Sequence, residues 1–312
     1  MALSALCASH TPLMRTAPVA PATRQAVEAS FARLADHLRR FAPELVIQFS
    51  PDHFNGFFYD AMPSFCVAAG AQSVGDWGTA KGPLLVPEGE ALALVAALRE
   101  DGFDPALSQR MAVDHGFTQI WEAMLGRFDL HPLIPIFVNC AAPPLPSLSR
   151  IRHFGEAVGR HAARLGKRVL FVASGGLSHD PPLPDFSALP AGGREFFLAG
   201  RNPTPEMRQE REQRVRDAAV ASVRGEGPCR PLNPDWDHMI IDIFRSGDLA
   251  RAEALTDEAI RREGGRGGHE IRAWLAALAA LSAAGPYRAT LDFYQAIPEW
   301  IAGMAMMTAE TI

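Results

Sequence analysis

The chain has 312 residues, of which 48% are hydrophobic, so it is long enough to bury a substantial core. Its formal net charge is −5 and its Lys and Arg residues are scattered. This argues against a nucleic-acid partner, because proteins that bind nucleic acid present a basic face. The most apolar stretch, at 274–285, is too short to cross a membrane and predicts a core helix instead.

The N-terminus and the cysteines indicate the cellular compartment in which the protein is expected to act. The first residues lack the basic start of a signal peptide. The four cysteines are far apart and have no C-x-x-C spacing, so they predict neither a zinc knuckle nor a disulfide framework. We therefore expect a cytoplasmic protein.

Strand-like and helix-like runs alternate through the first 175 residues. The predicted strands are 2–8, 44–49, 131–139 and 168–173, and the predicted helices are 24–41, 88–100 and about 150–166. This alternation is typical of a sheet that is covered by helices on both faces.

The final third of the sequence predicts mainly helices. They cover 205–224, 235–247, 250–262 and 269–284, and the first is so strongly charged that it is expected to face solvent or another subunit. Repeats and low-complexity linkers are absent from the sequence. We therefore predict a single α/β domain over 1–312, with a central sheet flanked by helices on both faces and a helical C-terminal part.

Four histidines each follow an apolar, strand-like run: His10, His53, His115 and His179. In an open α/β sheet the carboxyl ends of the strands form the rim where ligands bind. Four imidazoles at one rim predict a metal site or an acid/base site, whereas any one of them alone would more often be a hydrogen-bonded loop residue.

His10 and His53 are the first candidates for metal ligands, because neutral imidazole is the commonest protein ligand of transition metals. Two imidazoles and one carboxylate form the facial triad of non-haem Fe(II) oxygenases. Glu270 is the candidate carboxylate, since glycines precede it and it begins an apolar helix. His269 is its rival, and because adjacent helix positions point about 100° apart, only one of the two should face a metal.

His115 and His179 could serve as an acid and a base, or they could bind metal or be structural. Asp52, Asp114 and Asp180 each lie beside one of the histidines in sequence, but neighbours on an extended chain face opposite ways, so none is assigned as an orienting partner. The aromatic segment FNGFFYD at 54–60 could line a pocket or belong to the core.

Taken together, the segments around these residues resemble the class III extradiol ring-cleavage dioxygenases. The segments are SHTP, PDHFNGFFYD, VDHGF, SGGLSH and GGHEIRAWLAA, and the likeness continues through LNPDWDHMI and IPEWIAGM, so it covers nearly the whole chain. The combination is specific, although each motif alone is weak.

The resemblance implies an α/β enzyme that uses Fe(II) and O₂ to split a catechol next to its two hydroxyls. It implies that His10, His53 and Glu270 bind the iron and that His115 and His179 are the acid/base pair. Our hypothesis is that His179 is the base and His115 the acid. It also implies a homo-oligomer.

Two alternatives stay open from the sequence. One is a hydrolase that depends on zinc or another metal and uses the same three ligands, and the other is a binding protein without catalysis. The resemblance implies a catechol whose side chain carries a carboxylate. A positive group or a cluster of backbone N–H groups should receive that carboxylate, but the sequence does not identify it.

Overall fold

A computed structural model describes residues 2–201 and 203–312. The strands, in chain order, are β1 (Ala2–Ala8), β2 (Leu45–Ser50), β3 (Phe65–Ala68), β4 (Ala71–Ser73), β5 (Gly82–Pro83), β6 (Ala106–Ser108), β7 (Met111–Val113), β8 (Leu133–Val138), β9 (Arg168–Ser174), β10 (Tyr287–Ile297) and β11 (Ala302–Thr311). The α-helices are α1 (Leu13–Thr16), α2 (Pro21–Phe41), α3 (Glu88–Glu100), α4 (His115–Leu125), α5 (Leu148–Arg164), α6 (Ala191–Ala199), α7 (Pro205–Val223), α8 (Pro234–Ser246), α9 (Asp257–Glu263) and α10 (Ile271–Ser282).

Eight of the strands form one mixed sheet in the order β10-β11-β1-β9-β2-β8-β3-β6. The central strands β1, β9, β2 and β8 are parallel, whereas β11 and β3 pair with them in the antiparallel direction. Strands β5, β4 and β7 form a separate three-stranded sheet. Because β1, β9 and β2 are adjacent and parallel, the residues that follow them meet at one rim.

Each face of the large sheet has its own core. In β9, Val169, Phe171 and Ala173 pack with residues of α3, α5, α8 and α10, whereas Leu170 and Val172 pack with residues of α2 and α4. This division follows from the alternation of side chains along a strand. The prediction of a central sheet with helices on both faces is confirmed.

Helix α10 contains the apolar segment noted in the sequence, and it packs closely against α5. A Cβ atom added at Gly155 would lie 2.3 Å from the carbonyl oxygen of Ala276, and one added at Gly159 would lie 2.0 Å from that of Ala280. The two glycines, one turn apart on α5, therefore let the helix backbones approach. Among the described residues, no helix combines the length and the apolar character needed to cross a membrane.

The helical C-terminal part is confirmed between Pro205 and Ser282, but the sequence did not predict the two strands that follow. Strand β11 is rich in Met and Ala, which favour strands only weakly, and a short apolar run does not distinguish a buried strand from a helix. The segment IPEWIAGMAMM is core, with Trp300, Met304 and Met306 all buried.

His115 follows a strand, as the sequence indicates, but this strand does not belong to the large sheet. The preceding run is divided between β6, at the edge of the large sheet, and β7, in the small sheet. The predicted helix at 250–262 is likewise divided into a 3₁₀ turn at Leu249–Ala254 and helix α9, because Thr256 caps the second helix by accepting from the N–H of Ala259.

Candidate active site

The structure brings all five candidate residues to one cavity of about 360 Å³. His10, His53 and His179 arrive from the carboxyl ends of β1, β2 and β9, His115 begins α4, and Glu270 ends the 3₁₀ turn before α10. Three of the five therefore lie at the rim that the strand pattern predicts, and the other two reach it from the small sheet and from the start of a helix.

Glu270 lies at the centre of this group. Its Oε1 is 3.3 Å from Nε2 of His53 and 3.2 Å from Nε2 of His179, and its Oε2 is 4.0 Å from Nε2 of His10. Ring nitrogens of His10, His53 and His115 also lie within 4.8 Å of one another. The carboxylate is held in place by the backbone N–H of Gly176, which donates to Oε2 over 2.8 Å.

His10 and His53 present Nε2 to the centre because a second group holds Nδ1 of each ring. Nδ1 of His10 is 2.9 Å from the hydroxyl oxygen of Ser174, and Nδ1 of His53 is 3.1 Å from Oδ2 of Asp114. The backbone N–H of His53 donates to the same Asp114 oxygen over 2.8 Å. Such outer partners fix the orientation of a ligand ring and strengthen it as a donor.

Burial and neighbouring charges set the protonation of the central groups. Burial lowers the pKa of His10 to about 3, so its ring is neutral at physiological pH. Burial opposes charge on Glu270 as well, but the neighbouring histidines outweigh it and hold the pKa of this carboxyl well below its ordinary value. For His53 and His179, burial is again outweighed, by Asp114 and Glu270 for the first and by Glu270 for the second, and the pKa is raised.

Asp76 holds His115 and was not identified from the sequence. Its Oδ1 accepts from the backbone N–H of His115 over 2.8 Å, and its Oδ2 lies 2.5 Å from Nδ1 of the ring. The parallel pairing of β4 with β7 explains the contact, because Asp76 follows β4 and His115 follows β7. Nε2 of His115 is thereby left to face the cavity.

Two glycines surround the ring of His179 and explain the glycine-rich motifs. A Cβ atom at Gly267 would lie 2.0 Å from Nε2 of His179, and one at Gly176 would lie 2.7 Å from Nδ1. The two loops are also tied together, since the N–H of Gly267 donates to the His179 carbonyl and the N–H of His179 donates to the Gly264 carbonyl, each over 2.9 Å. Only glycine leaves room for this imidazole at both positions.

The motif LNPDWDHMI supports the same loop through Asp237. This buried carboxylate accepts from the backbone N–H of Ser178 over 2.6 Å, from its hydroxyl over 2.8 Å and from the hydroxyl of Tyr294 over 2.8 Å. Asp237 therefore fixes the position of Ser178, the residue immediately before His179.

The remaining candidates lie away from the centre. His269 contacts Arg272, with 2.8 Å between its Nδ1 and Nη1 of the arginine, so Glu270 is the one of the two adjacent residues that faces the histidines. Asp180 pairs with Arg266, and Asp52 accepts from backbone N–H groups of residues 55–57. Of the three aspartates considered in the sequence, Asp114 alone contacts a site histidine, and that histidine is not its sequence neighbour.

Residues between 181 and 201, including α6, and the first part of α7 line one side of the cavity. The aromatic segment at 54–60 belongs to a core that contacts α6. Phe54 and Phe58 pack with Phe196 and Phe197, and the N–H of Tyr59 donates to the carbonyl of Phe197 over 2.8 Å. Phe196 and Phe197 line the cavity, whereas the aromatic residues of 54–60 do not.

The residues present fit a divalent transition metal. Neutral imidazole and ionised carboxylate are the forms that bind metal, and buried His10 and Glu270 offer one of each. Two imidazoles and one carboxylate suit Fe(II) with open positions, and they also suit zinc. The donor set alone therefore does not identify the metal.

Comparison with known proteins shows which family the chain resembles. A family model described as the catalytic LigB subunit of aromatic ring-opening dioxygenase matches residues 4–305. A protein of Photorhabdus laumondii named 2,3-dihydroxyphenylpropionate/2,3-dihydroxicinnamic acid 1,2-dioxygenase is 48% identical, with 100% of this chain and 98% of the relative covered. Proteins of the same name from Cupriavidus pinatubonensis and a Rhodococcus species are each 49% identical, over 97% and 99% of this chain and 97% and 98% of their own.

One solved structure shares the fold alone. An uncharacterized protein of Escherichia coli K12, known from its crystal structure, matches with a TM-score of 0.52 and 14% sequence identity, and 99% of both chains is covered. At this identity the match supports the architecture and carries no conclusion about activity.

Proposed function

The chain belongs to the family of LigB catalytic subunits of aromatic ring-opening dioxygenases, and from this we propose that it cleaves 3-(2,3-dihydroxyphenyl)propanoate and 2,3-dihydroxycinnamate with O₂ at a non-haem Fe(II) site. The family is metal-dependent, and the resemblance noted in the sequence is confirmed. The two substrates are those in the names of the relatives, which are 48–49% identical over almost their full length. Such an enzyme would act in the catabolism of aromatic phenylpropanoids.

We propose that His10, His53 and Glu270 hold the metal. The observation that carries this proposal is the convergence of two Nε2 atoms on one carboxylate, at 3.3 Å and 4.0 Å. When bound, Fe(II) supplies a centre at which both catechol oxygens and O₂ can be activated. His115 is a rival ligand. Its contact with Asp76 suits an acid/base group as well as a metal ligand, so that contact does not distinguish the two roles.

We propose that His179 takes a proton from a catechol hydroxyl. Its Nδ1 donates to the carbonyl oxygen of Leu177 over 3.0 Å, so the lone pair of the neutral ring is on Nε2. That atom lies 3.2 Å from Glu270, so a catechol bound beside the proposed ligands would have a hydroxyl within reach of it.

We propose that His115 returns a proton later in the reaction. Asp76 accepts from Nδ1 of the ring and so leaves Nε2 to deliver a proton into the cavity. The ring stacks on that of His53, with 4.4 Å between centroids and 21° between planes. The ring therefore lies against that of a proposed metal ligand, which supports a role close to the reacting atoms.

The cavity around these residues suits a small aromatic acid. Its volume of about 360 Å³ falls in the range of sites for small molecules, and its walls include Trp77, Phe197, Trp300 and Ile301. These apolar side chains would contact the faces of the catechol ring and exclude water from the reacting atoms.

O₂ uptake and metal content together test the proposal. Anaerobically prepared Fe(II) protein should consume one O₂ for each molecule of 3-(2,3-dihydroxyphenyl)propanoate and form a yellow product. Glu270→Gln should lose bound iron, whereas His115→Gln should retain it and lose activity. Loss of iron from His115→Gln, with retention in Glu270→Gln, would reverse the assignment of the third ligand.

We further propose that residues 1–312 act as one domain and that the protein is a cytoplasmic homo-oligomer. The contribution of both ends of the chain to one sheet, through β1 and β11, supports the first point. The cysteines are free thiols, and three are buried, which suits a reducing compartment. The mass in solution, measured by light scattering, tests the oligomer.

A further inference from the structure

Three arginines of α7 line the wall of the cavity: Arg208, Arg211 and Arg214. Residues three apart lie on the same face of a helix, so the spacing of these arginines places a positive stripe along one side of the cavity. The proposed substrates carry one negative charge far from the reacting hydroxyls. The stripe therefore complements this negative charge.

Arg211 already has partners within the protein. Its Nη2 donates to the backbone carbonyl of His53 over 2.9 Å, and its guanidinium lies 4.7 Å from the centre of the Phe196 ring. Burial lowers its pKa. Through these contacts Arg211 links α7 to α6 and to the loop that carries His53. Its guanidinium is therefore less available to bind a ligand.

Arg208 differs from Arg211 in the hydrogen bonding of its guanidinium. Its Nη1 is buried and has no hydrogen-bond acceptor among residues 2–201 and 203–312. Leaving a buried N–H group without an acceptor is costly, and the cost is greater for a charged group. A carboxylate is the best complement for a guanidinium, since it accepts two parallel hydrogen bonds and neutralises the charge.

Of the four acidic residues that line the cavity, Glu210 is exposed to solvent and the other three have partners of their own. Glu212 accepts from the backbone N–H of Trp77 over 3.3 Å and from Arg216 over 3.4 Å. Asp76 is held by His115, and Glu270 by Gly176 and the site histidines. Arg214, the third arginine of the stripe, is exposed, so water already satisfies much of its charge.

The position of Arg208 also matches the shape of the substrate. It lies three residues before Arg211, or about 4.5 Å along the helix axis. Arg211 contacts the His53 loop, so Arg208 lies about one helical turn from that point of contact. That displacement is comparable with the length of a three-carbon side chain on the catechol ring.

We propose that Arg208 receives the side-chain carboxylate of the substrate and so selects catechols that carry an acidic side chain. This inference rests on the proposed function, because it presumes that the catechol ring binds at His10, His53 and Glu270. It adds the residue that distinguishes a phenylpropanoid acid from a simple alkylcatechol.

The test compares two substrates of nearly the same shape, 3-(2,3-dihydroxyphenyl)propanoate and 3-propylcatechol, in Fe(II)-loaded protein. Arg208→Gln should raise KM for the acid about 10- to 100-fold, as expected for the loss of a charge-assisted pair. KM for 3-propylcatechol should stay within about twofold of that of the unsubstituted protein. Arg208→Lys keeps the positive charge but cannot donate two parallel hydrogen bonds to a carboxylate. It should therefore give an intermediate KM for the acid.

Arg224→Gln is the matched control, since this exposed arginine follows the last turn of the same helix and is not among the residues that line the cavity. It should change neither KM. Equal effects of Arg208→Gln on both substrates, or no effect on either, would overturn the inference. If Arg208→Gln fails to fold, an unchanged KM for the acid in Arg208→Lys overturns it instead. Failure of the unsubstituted protein to cleave either catechol would refute the proposed function itself.

Discussion

The substitution Gly267→Ala tests whether the glycine-rich segment exists to accommodate His179. The added Cβ atom would lie 2.0 Å from Nε2 of the imidazole, whereas ordinary contact begins at 3.4 Å. The ring would therefore have to withdraw by about 1.4 Å, the difference between these distances. The backbone has little freedom to yield, because the N–H of Gly267 donates to the carbonyl of His179.

A displacement of about 1 Å in a reacting group can cost roughly 100-fold in rate. We therefore expect kcat/KM for the catechol to fall about 100-fold in Gly267→Ala, while overpacking lowers the free energy of unfolding by only ~1–3 kcal/mol. Bound iron should stay at the level of the unsubstituted protein, because His179 is proposed to move a proton and not to hold the metal.

The assay is steady-state O₂ uptake, with iron content and thermal unfolding measured on the same preparations. Gly89→Ala is the control, since a Cβ atom there meets nothing within 4 Å. A Gly267→Ala protein with unchanged kcat/KM would refute the argument from close packing. A loss of iron in proportion to the loss of activity would show that His179 is a metal ligand instead.

Three further predictions concern the metal, the core and pH. Asp114→Asn should weaken iron binding about 10- to 100-fold in a chelator competition, because Asp114 orients His53. Asp180→Asn weakens contacts with Arg266 and with the backbone of Arg230, none of which involves His53, and it should leave iron affinity unchanged. Gly159→Ala should lower the free energy of unfolding, measured in denaturant titrations, by at least ~1–3 kcal/mol. The reason is that its Cβ would lie 2.0 Å from the Ala280 carbonyl oxygen. An unchanged free energy of unfolding would contradict the close contact of α5 and α10. Burial lowers the pKa of His37 below its ordinary 6.5, so its contribution to stability is complete above pH 6.5 and is lost as pH falls from 6.5 toward the depressed value. The free energy of unfolding should therefore fall less steeply below pH 6.5 in His37→Gln than in the unsubstituted protein, and equal slopes would refute this.

The site histidines could be predicted because local sequence determines where a buried strand ends. His10, His53 and His179 each follow a strand of the parallel centre of the sheet, and the topology then brings them together. Glu270 was recognised from the glycines before it and from the apolar helix after it. The structure separates it from His269, which contacts Arg272.

Other parts of the site depend on contacts that sequence patterns do not reveal. Asp76 meets His115 only because the short strands β4 and β7 pair, and neither strand is long enough to produce a clear alternation. The helix that carries Arg208 was predicted over 205–224, but which of its arginines faces the cavity depends on how that helix docks. The strands β10 and β11 were missed for a similar reason, since burial and pairing override the weak strand preference of Met and Ala.

The fate of the two oxygen atoms tests the central claim most directly. Fe(II)-loaded protein should be incubated with 3-(2,3-dihydroxyphenyl)propanoate under ¹⁸O₂, and the product identified by its mass and fragmentation. We predict a product that carries both labelled atoms and whose ring is opened beside the two hydroxyls. A product without label would contradict the account and favour hydrolytic chemistry, and a ring opened between the hydroxyls would contradict extradiol cleavage.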